Sequence, residues 1–153
     1  MISAPLHVFE VEQFVPRPKA EVFEFFSSEF NLETLTPPWL NFKVLGKDTP
    51  KIQQGTLIDY QLKIYGVPVK WRTLIEVWKP GECFVDTQLR GPYKKWHHTH
   101  TFKDVEGGTL MSDRVIHQAP MGRLGDLVAG WKIQGDVKGI FAFRQQKIAE
   151  LFR

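Results

Sequence analysis

The residues of this chain best suited to chemistry lie in the run Trp96-His97-His98-Thr99-His100-Thr101-Phe102. In an extended strand successive side chains point to opposite faces, so Trp96, His98, His100 and Phe102 share one face, and its two aromatics make it the inward one. His98 and His100 then stand roughly 7 Å apart along the strand. A neutral imidazole is at once donor, acceptor and metal ligand, so the pair can hydrogen-bond a ligand carbonyl or hydroxyl, or hold a metal. A metal needs further ligands, which Asp86, Asp113 or His117 on neighbouring strands can supply only in a suitable register. A third reading satisfies the histidines within a buried network with Asp113, Thr73 or Gln88, because buried polar groups are nearly always hydrogen-bonded.

Asp113 decides much of this. Met111, Asp113, Val115 and His117 alternate with Leu110, Ser112, Arg114 and Ile116, and the pattern does not say which set is inside. An inward Asp113 would fix the tautomers of His98 and His100 and raise their basicity, as general acid or base work requires. An outward Asp113 would pair with a surface Lys or Arg. The candidate catalytic residues are therefore His98, His100 and Asp113. Trp71 can stack on a flat ligand while Tyr60 or Gln88 offers a directional hydrogen bond, and Phe84 shares the Gln88 face. Core packing accounts for each of these equally well when taken singly. The chain has no Gly-rich phosphate loop, no Cys pair and no His-Glu-x-x-His helix, so neither a cofactor nor a metal is expected.

The elements that must position these residues follow from periodicity. Leu6 to Val15 reads as a first strand, ended by Pro16 and Pro18, and Lys19 to Ser28 as a short helix with Val22, Phe23 and Phe26 at helical spacing. Asn31 is placed to cap a second short helix over Leu32 to Leu35, stopped by Pro37 and Pro38. After a segment Phe42 to Leu45, Ile58, Tyr60, Leu62 and Ile64 form the apolar face of a strand. Gly66 turns it into a second strand, Val67 to Trp78, with Val69, Trp71, Thr73, Ile75 and Val77 on one side. Strands over Cys83 to Leu89, Tyr93 to Lys103 and Thr109 to Gln118 are joined by Gly-containing turns. Beyond Pro120 the period becomes helical for roughly seven to eight turns. Ile140 and Arg144 lie on that segment as candidate ligand contacts. Its glycines, Gly122, Gly125, Gly130, Gly135 and Gly139, are read as a loosened or kinked gate.

Composition narrows the classes. The chain has 153 residues, 42% of them hydrophobic, and a formal charge of +3 with Lys and Arg scattered, so a packed globular unit is expected and nucleic-acid binding is not. Twelve Phe, five Trp and three Tyr can fill a core or line a pocket. The lone Cys83 cannot form an intramolecular disulfide, and the start MISAPLHVFE shows no signal-peptide pattern, which makes the cytoplasm the expected compartment. No apolar run approaches the ~20 residues of a transmembrane segment.

A meander of about seven strands with one long helix buries itself best with the helix across the concave face, which leaves a cavity between them. The expectation is an α+β helix-grip fold over residues 1–153 as one ligand-binding domain, with a lipocalin barrel as the alternative. The stretches Asn31 to Leu40 (NLETLTPPWL), Gly55 to Tyr60 (GTLIDY), Gly91-Pro92-Tyr93 and Trp96 to Phe102 (WHHTHTF) resemble the START-like superfamily. Within it they are similar to a bacterial cyclase/dehydrase-like, ligand-binding branch, sometimes fused to epimerase-like proteins labelled cell-division inhibitors. The resemblance implies an internal cavity for a hydrophobic molecule of lipid, isoprenoid or aromatic polyketide class, held by a carrier or sensor. The expected contacts are Tyr60, Trp71, Phe84, Gln88, Trp96, His98, His100, Phe102, Ile140 and Arg144. The alternatives are a cyclase/dehydrase-like enzyme using His98, His100 and Asp113, and a protein-interaction module whose partner is not identified.

Overall fold

The computed structural model describes residues 2–153. Strand β1 (His7–Val15) leads into α1 (Lys19–Phe26), α2 (Asn31–Leu35) and a 3-10 turn at Pro38–Leu40. Then follow β2 (Lys43–Lys47), β3 (Leu57–Ile64), β4 (Val67–Lys79), β5 (Cys83–Arg90), β6 (Lys95–Val105), β7 (Gly108–Gln118) and α3 (Gly122–Leu151). The strands form one seven-stranded sheet in the order β1-β7-β6-β5-β4-β3-β2. Every pairing is antiparallel. The sheet curves around α3, which is the helix-grip arrangement and excludes the closed barrel.

Local chemistry explains the turns. Tyr65 and Gly66 both adopt positive φ, 50° and 80°, and two left-handed residues in succession make the tight hairpin whose twist matches its strands. Asn31 departs from its expected capping role: it is the first residue of α2, and its side-chain amide donates to the Phe25 carbonyl at 2.7 Å, closing α1 instead. In β4 the expected alternation holds through Ile75 and then fails. Ile75 pairs with Asp86 and Val77 with Val85, so Glu76 is an extra residue in a β-bulge. The bulge reverses the facing and turns Trp78, rather than Val77, toward the core, against Phe23 and Phe84.

The core is divided. Val15, Val22, Phe23, Phe26, Phe84, Phe102, Met111 and Ile148 fill one end beneath α1. Trp96, Val115, Val137 and Phe141 join the middle of α3 to β6 and β7, while Ile52, Ile58, Tyr60 and Ile75 form a third cluster. Helix α3 runs as one element of 30 residues despite its five glycines. A side chain at Gly125 would stand 2.0 Å from the Pro120 carbonyl, whereas one at Gly135 or Gly139 would meet nothing within 4 Å. Gly135→Ala and Gly139→Ala should therefore each stabilise the fold by roughly 0.5–1 kcal/mol. A raised urea midpoint measures this, and Gly125→Ala should lower it.

Candidate functional site

Between the sheet and α3 lies a cavity of about 700 Å³. Its wall is mostly apolar, with Ile58, Leu62, Ile75, Trp78 and Phe84 from the sheet and Leu32, Leu40, Phe42 and Ile52 from the connections. A separate depression of about 450 Å³ involves Asp59, Lys70, Arg72 and Arg90, and there Arg72 is already paired with Asp59 at 2.8 Å.

Tyr60, Trp71, Phe84, Trp96, His98, His100, Ile140 and Arg144 border the large cavity. Gln88 and Phe102 do not. The Gln88 side chain donates to the Tyr93 carbonyl at 2.7 Å and accepts from the Tyr93 backbone N–H at 3.2 Å, so it clamps the β5–β6 turn. Phe102 is packed in the end core with Phe23 and Phe26, because the strand carries it past the cavity floor and under α1. The alternation along β7 resolves inward for Asp113, which is buried and is therefore no surface partner.

The buried ionic part of the wall is one connected cluster, while Lys63, Lys132 and Asp136 lie elsewhere on the lining. Register places Asp86 opposite His98 and His100 opposite Asp113, so four titratable groups from three adjacent strands meet on one face. His98 Nε2 donates to Asp113 Oδ1 at 2.7 Å and His100 Nε2 donates to Asp86 Oδ2 at 2.6 Å. Although two residues apart on the strand, the imidazoles lean together and stack with centroids 3.6 Å apart. Phe84 stacks on the other side of His100 at 3.9 Å. From α3, Arg144 Nη2 comes within 3.8 Å of Asp113 Oδ1 and 3.5 Å of His100 Nδ1. Its guanidinium lies 5.3 Å over the Phe26 ring. Arg144 Nε has no hydrogen-bond partner among the described residues, so the side chain is held through Nη2 and by charge.

Burial and partners divide the two histidines. Burial, then the neighbouring His100 charge, lowers the His98 pKa, and the carboxylates do not reverse this. Burial also opposes a charged His100, but its hydrogen bonds to Asp113 and Asp86 outweigh it and raise its pKa. Burial would likewise raise both carboxyls. The His98 and His100 contacts hold Asp86 below the usual range, and the Arg144 charge foremost holds Asp113 well below it. Ionised carboxylates only accept, which assigns the Nε2 protons to the histidines. With His100 charged, two anions and two cations cancel, and such neutrality makes a buried ionic cluster tolerable. Burial keeps the hydroxyls of Tyr60 and Tyr93 protonated, the latter with its pKa raised to about 12.

These shifts fix a pH dependence. His98, Asp86 and Asp113 have depressed folded values, so their stabilisation is present above their unfolded values and is lost as pH falls through the folded ones. His100 has a raised value, so its stabilisation is complete below 6.5 and is lost as pH rises through the folded value. Stability should therefore peak near the ordinary histidine value of 6.5 and decline on both sides. Urea unfolding from pH 4 to 9 checks this, and a steady rise through pH 9 would contradict it.

Asp86, His98 and His100 offer one ligand atom each within 4.8 Å of one another, a spacing that a cation could bridge. The stacked rings direct their in-plane lone pairs side by side rather than to one point, and Arg144 adds positive charge next to them. The donor set fits its internal network better than a cation.

Sequence reasoning missed Tyr93, Trp39 and Leu40 on the cavity wall. They come from turns, where side-chain direction has no period to reveal it. Asp86 carried a usable signal, since it alternates with Phe84, but only the register shows it opposite His98.

No family model matches the sequence, and no curated protein is similar enough to count as a match. Solved structures do share its shape. It is 13% identical to the Zhui aromatase/cyclase from Streptomyces sp. R1128, with 95% of this chain and 93% of that chain covered and a TM-score of 0.73. With Ara h 8.0201 the identity is 17%, the coverage 94% and 98%, and the TM-score 0.65. With a nucleoside-diphosphate sugar epimerase from Corynebacterium glutamicum the identity is 23% and the TM-score 0.68, over 93% of this chain but only 28% of the longer one. The chain thus shares the helix-grip fold of these structures.

Proposed function

We propose that residues 1–153 act as one cytoplasmic, START-like ligand-binding domain that carries or senses a hydrophobic small molecule of lipid, isoprenoid or aromatic polyketide class. The observation that carries the reading is the cavity of about 700 Å³, mostly apolar in its lining and with one buried ionic cluster in its wall. That pattern supports an apolar body for affinity and one polar group on the ligand for orientation. Tyr60, Trp71, Phe84, Trp96 and Ile140 supply the apolar and aromatic contacts, and His98, His100 and Arg144 the polar anchor.

A second reading, a cyclase/dehydrase-like enzyme, is favoured by one observation: the pKa values of His98 and His100 are pushed in opposite directions within the cavity, as an acid and base pair requires. One fold neighbour is also an aromatase/cyclase. The carrier reading is preferred because no activated nucleophile accompanies the histidines among the described residues.

Titration with an apolar fluorescent probe such as anilinonaphthalene sulfonate should show saturable binding of one molecule per chain. Leu62→Trp, which fills the cavity from its wall, should weaken it at least tenfold, since a pocket that has lost its space cannot regain it cheaply. Unchanged binding in that variant would place the probe elsewhere. His98→Gln and His100→Gln should weaken the binding of a cavity ligand by about 1–2 kcal/mol at most. Turnover of a polyketide that falls about 10²-fold in these variants with affinity intact would instead establish the enzyme.

A further inference from the structure

Met121, just before α3, and Leu124, Leu127, Val128 and Trp131 in its first half face solvent, each between 68% and 79% exposed. At roughly 3.6 residues per turn the last four lie on one stripe of the helix. Scattered exposed apolar residues need no explanation, but a contiguous stripe does. Across the cavity mouth the β3–β4 turn adds exposed Tyr65 and Val67. Tyr65 is tied to the helix, its hydroxyl donating to Asp136 Oδ2 at 3.0 Å and its ring lying 5.0 Å from Lys132 Nζ.

Charge identifies the occupant. Arg123, Lys132 and, just past the midpoint of the helix, Lys138 are exposed. Two acids share this stretch, Asp126 bonded to His7 at 2.8 Å and Asp136 accepting from Tyr65, so the three cations exceed them by one. A second copy of the chain is a poor partner, because a two-fold interface sets the same patch against itself and would bring these cations together. An apolar stripe flanked by cations, with a tryptophan to lie at the polar boundary, matches a helix resting on an anionic bilayer. We infer that the Leu124–Trp131 face of α3, with the Tyr65 turn, docks on the surface of anionic lipid membranes. Ala129, Lys132, Ile133 and Asp136 of the same helix border the cavity on the side turned away from the stripe, so docking lays the helix between the cavity and the lipid. No helix of the described residues is long and apolar enough to cross the bilayer.

The test is flotation of the full chain with vesicles of phosphatidylcholine containing one quarter phosphatidylglycerol, beside vesicles of phosphatidylcholine alone. The chain should float with the anionic vesicles, much less with the neutral ones, and less as salt screens the attraction. Leu127→Ser combined with Trp131→Ser should lower anionic-vesicle binding at least tenfold, since two large apolar groups no longer leave water. Lys132→Glu combined with Lys138→Glu should lower it while keeping the apolar stripe. Thermal unfolding should stay unchanged in the first pair, whose side chains touch solvent. Absence of flotation with anionic vesicles overturns the inference. So does a stable dimer by ultracentrifugation that Leu127→Ser/Trp131→Ser dissociates, which would make the stripe a subunit interface. Neither outcome touches the cavity reading, which the probe titration tests separately.

Discussion

Asp113→Ala should destabilise the protein by about 3–5 kcal/mol, the cost of breaking a buried ionic cluster from one side. Asp113 accepts from His98 at 2.7 Å and faces Arg144 at 3.8 Å, and its loss leaves a buried guanidinium beside a charged His100 with only Asp86 to balance them. Urea unfolding near pH 6.5 would read the change, and it should shrink toward pH 9 as His100 loses its proton and the excess positive charge falls. Replacing Asp113 and Arg144 together by Leu and Met should recover much of the loss, because charge, not shape, is what the single variant unbalances. A cost below about 1 kcal/mol, the scale of an exposed pair, would mean that water reaches the cluster.

Phe84→Ala should cost a similar amount, about 3–5 kcal/mol. The ring is buried, stacks on His100 at 3.9 Å and meets Phe23 edge to face at 6.1 Å. It borders the cavity as well as the end core, so its removal enlarges the cavity and frees His100 to tilt. The urea midpoint should fall while probe binding persists more weakly. A small cost would show that the cavity wall collapses to fill the gap.

The elements were legible because their periods were clean. Ile58, Tyr60 and Leu62 alternate into the core of β3, and the register of β6 follows from Trp96 and Phe102 flanking the histidines. What alternation could not reveal was the bulge at Glu76, since an extra residue leaves no mark on hydrophobicity, and so Val77 is expected on the side where Trp78 stands. The same limit applies to Phe102. It points inward with His100, yet distance along the strand carries it beyond the cavity into the end core. Gln88 shows a third limit, because a polar side chain on a strand can satisfy its own turn, as it does at Tyr93, instead of a ligand. Asp113 had no readable face, because both sets of residues on β7 mix apolar and polar types. Pairing with β6 and burial against α3 settled it.

The central claim is that the cavity holds a hydrophobic molecule, and native mass spectrometry of the chain after gentle purification tests it most directly. The account predicts a second species heavier by the mass of one small molecule, released by collisional activation without unfolding and reduced in Leu62→Trp. A bare polypeptide mass, unchanged after incubation with lipids, isoprenoids and aromatic polyketides, would contradict it.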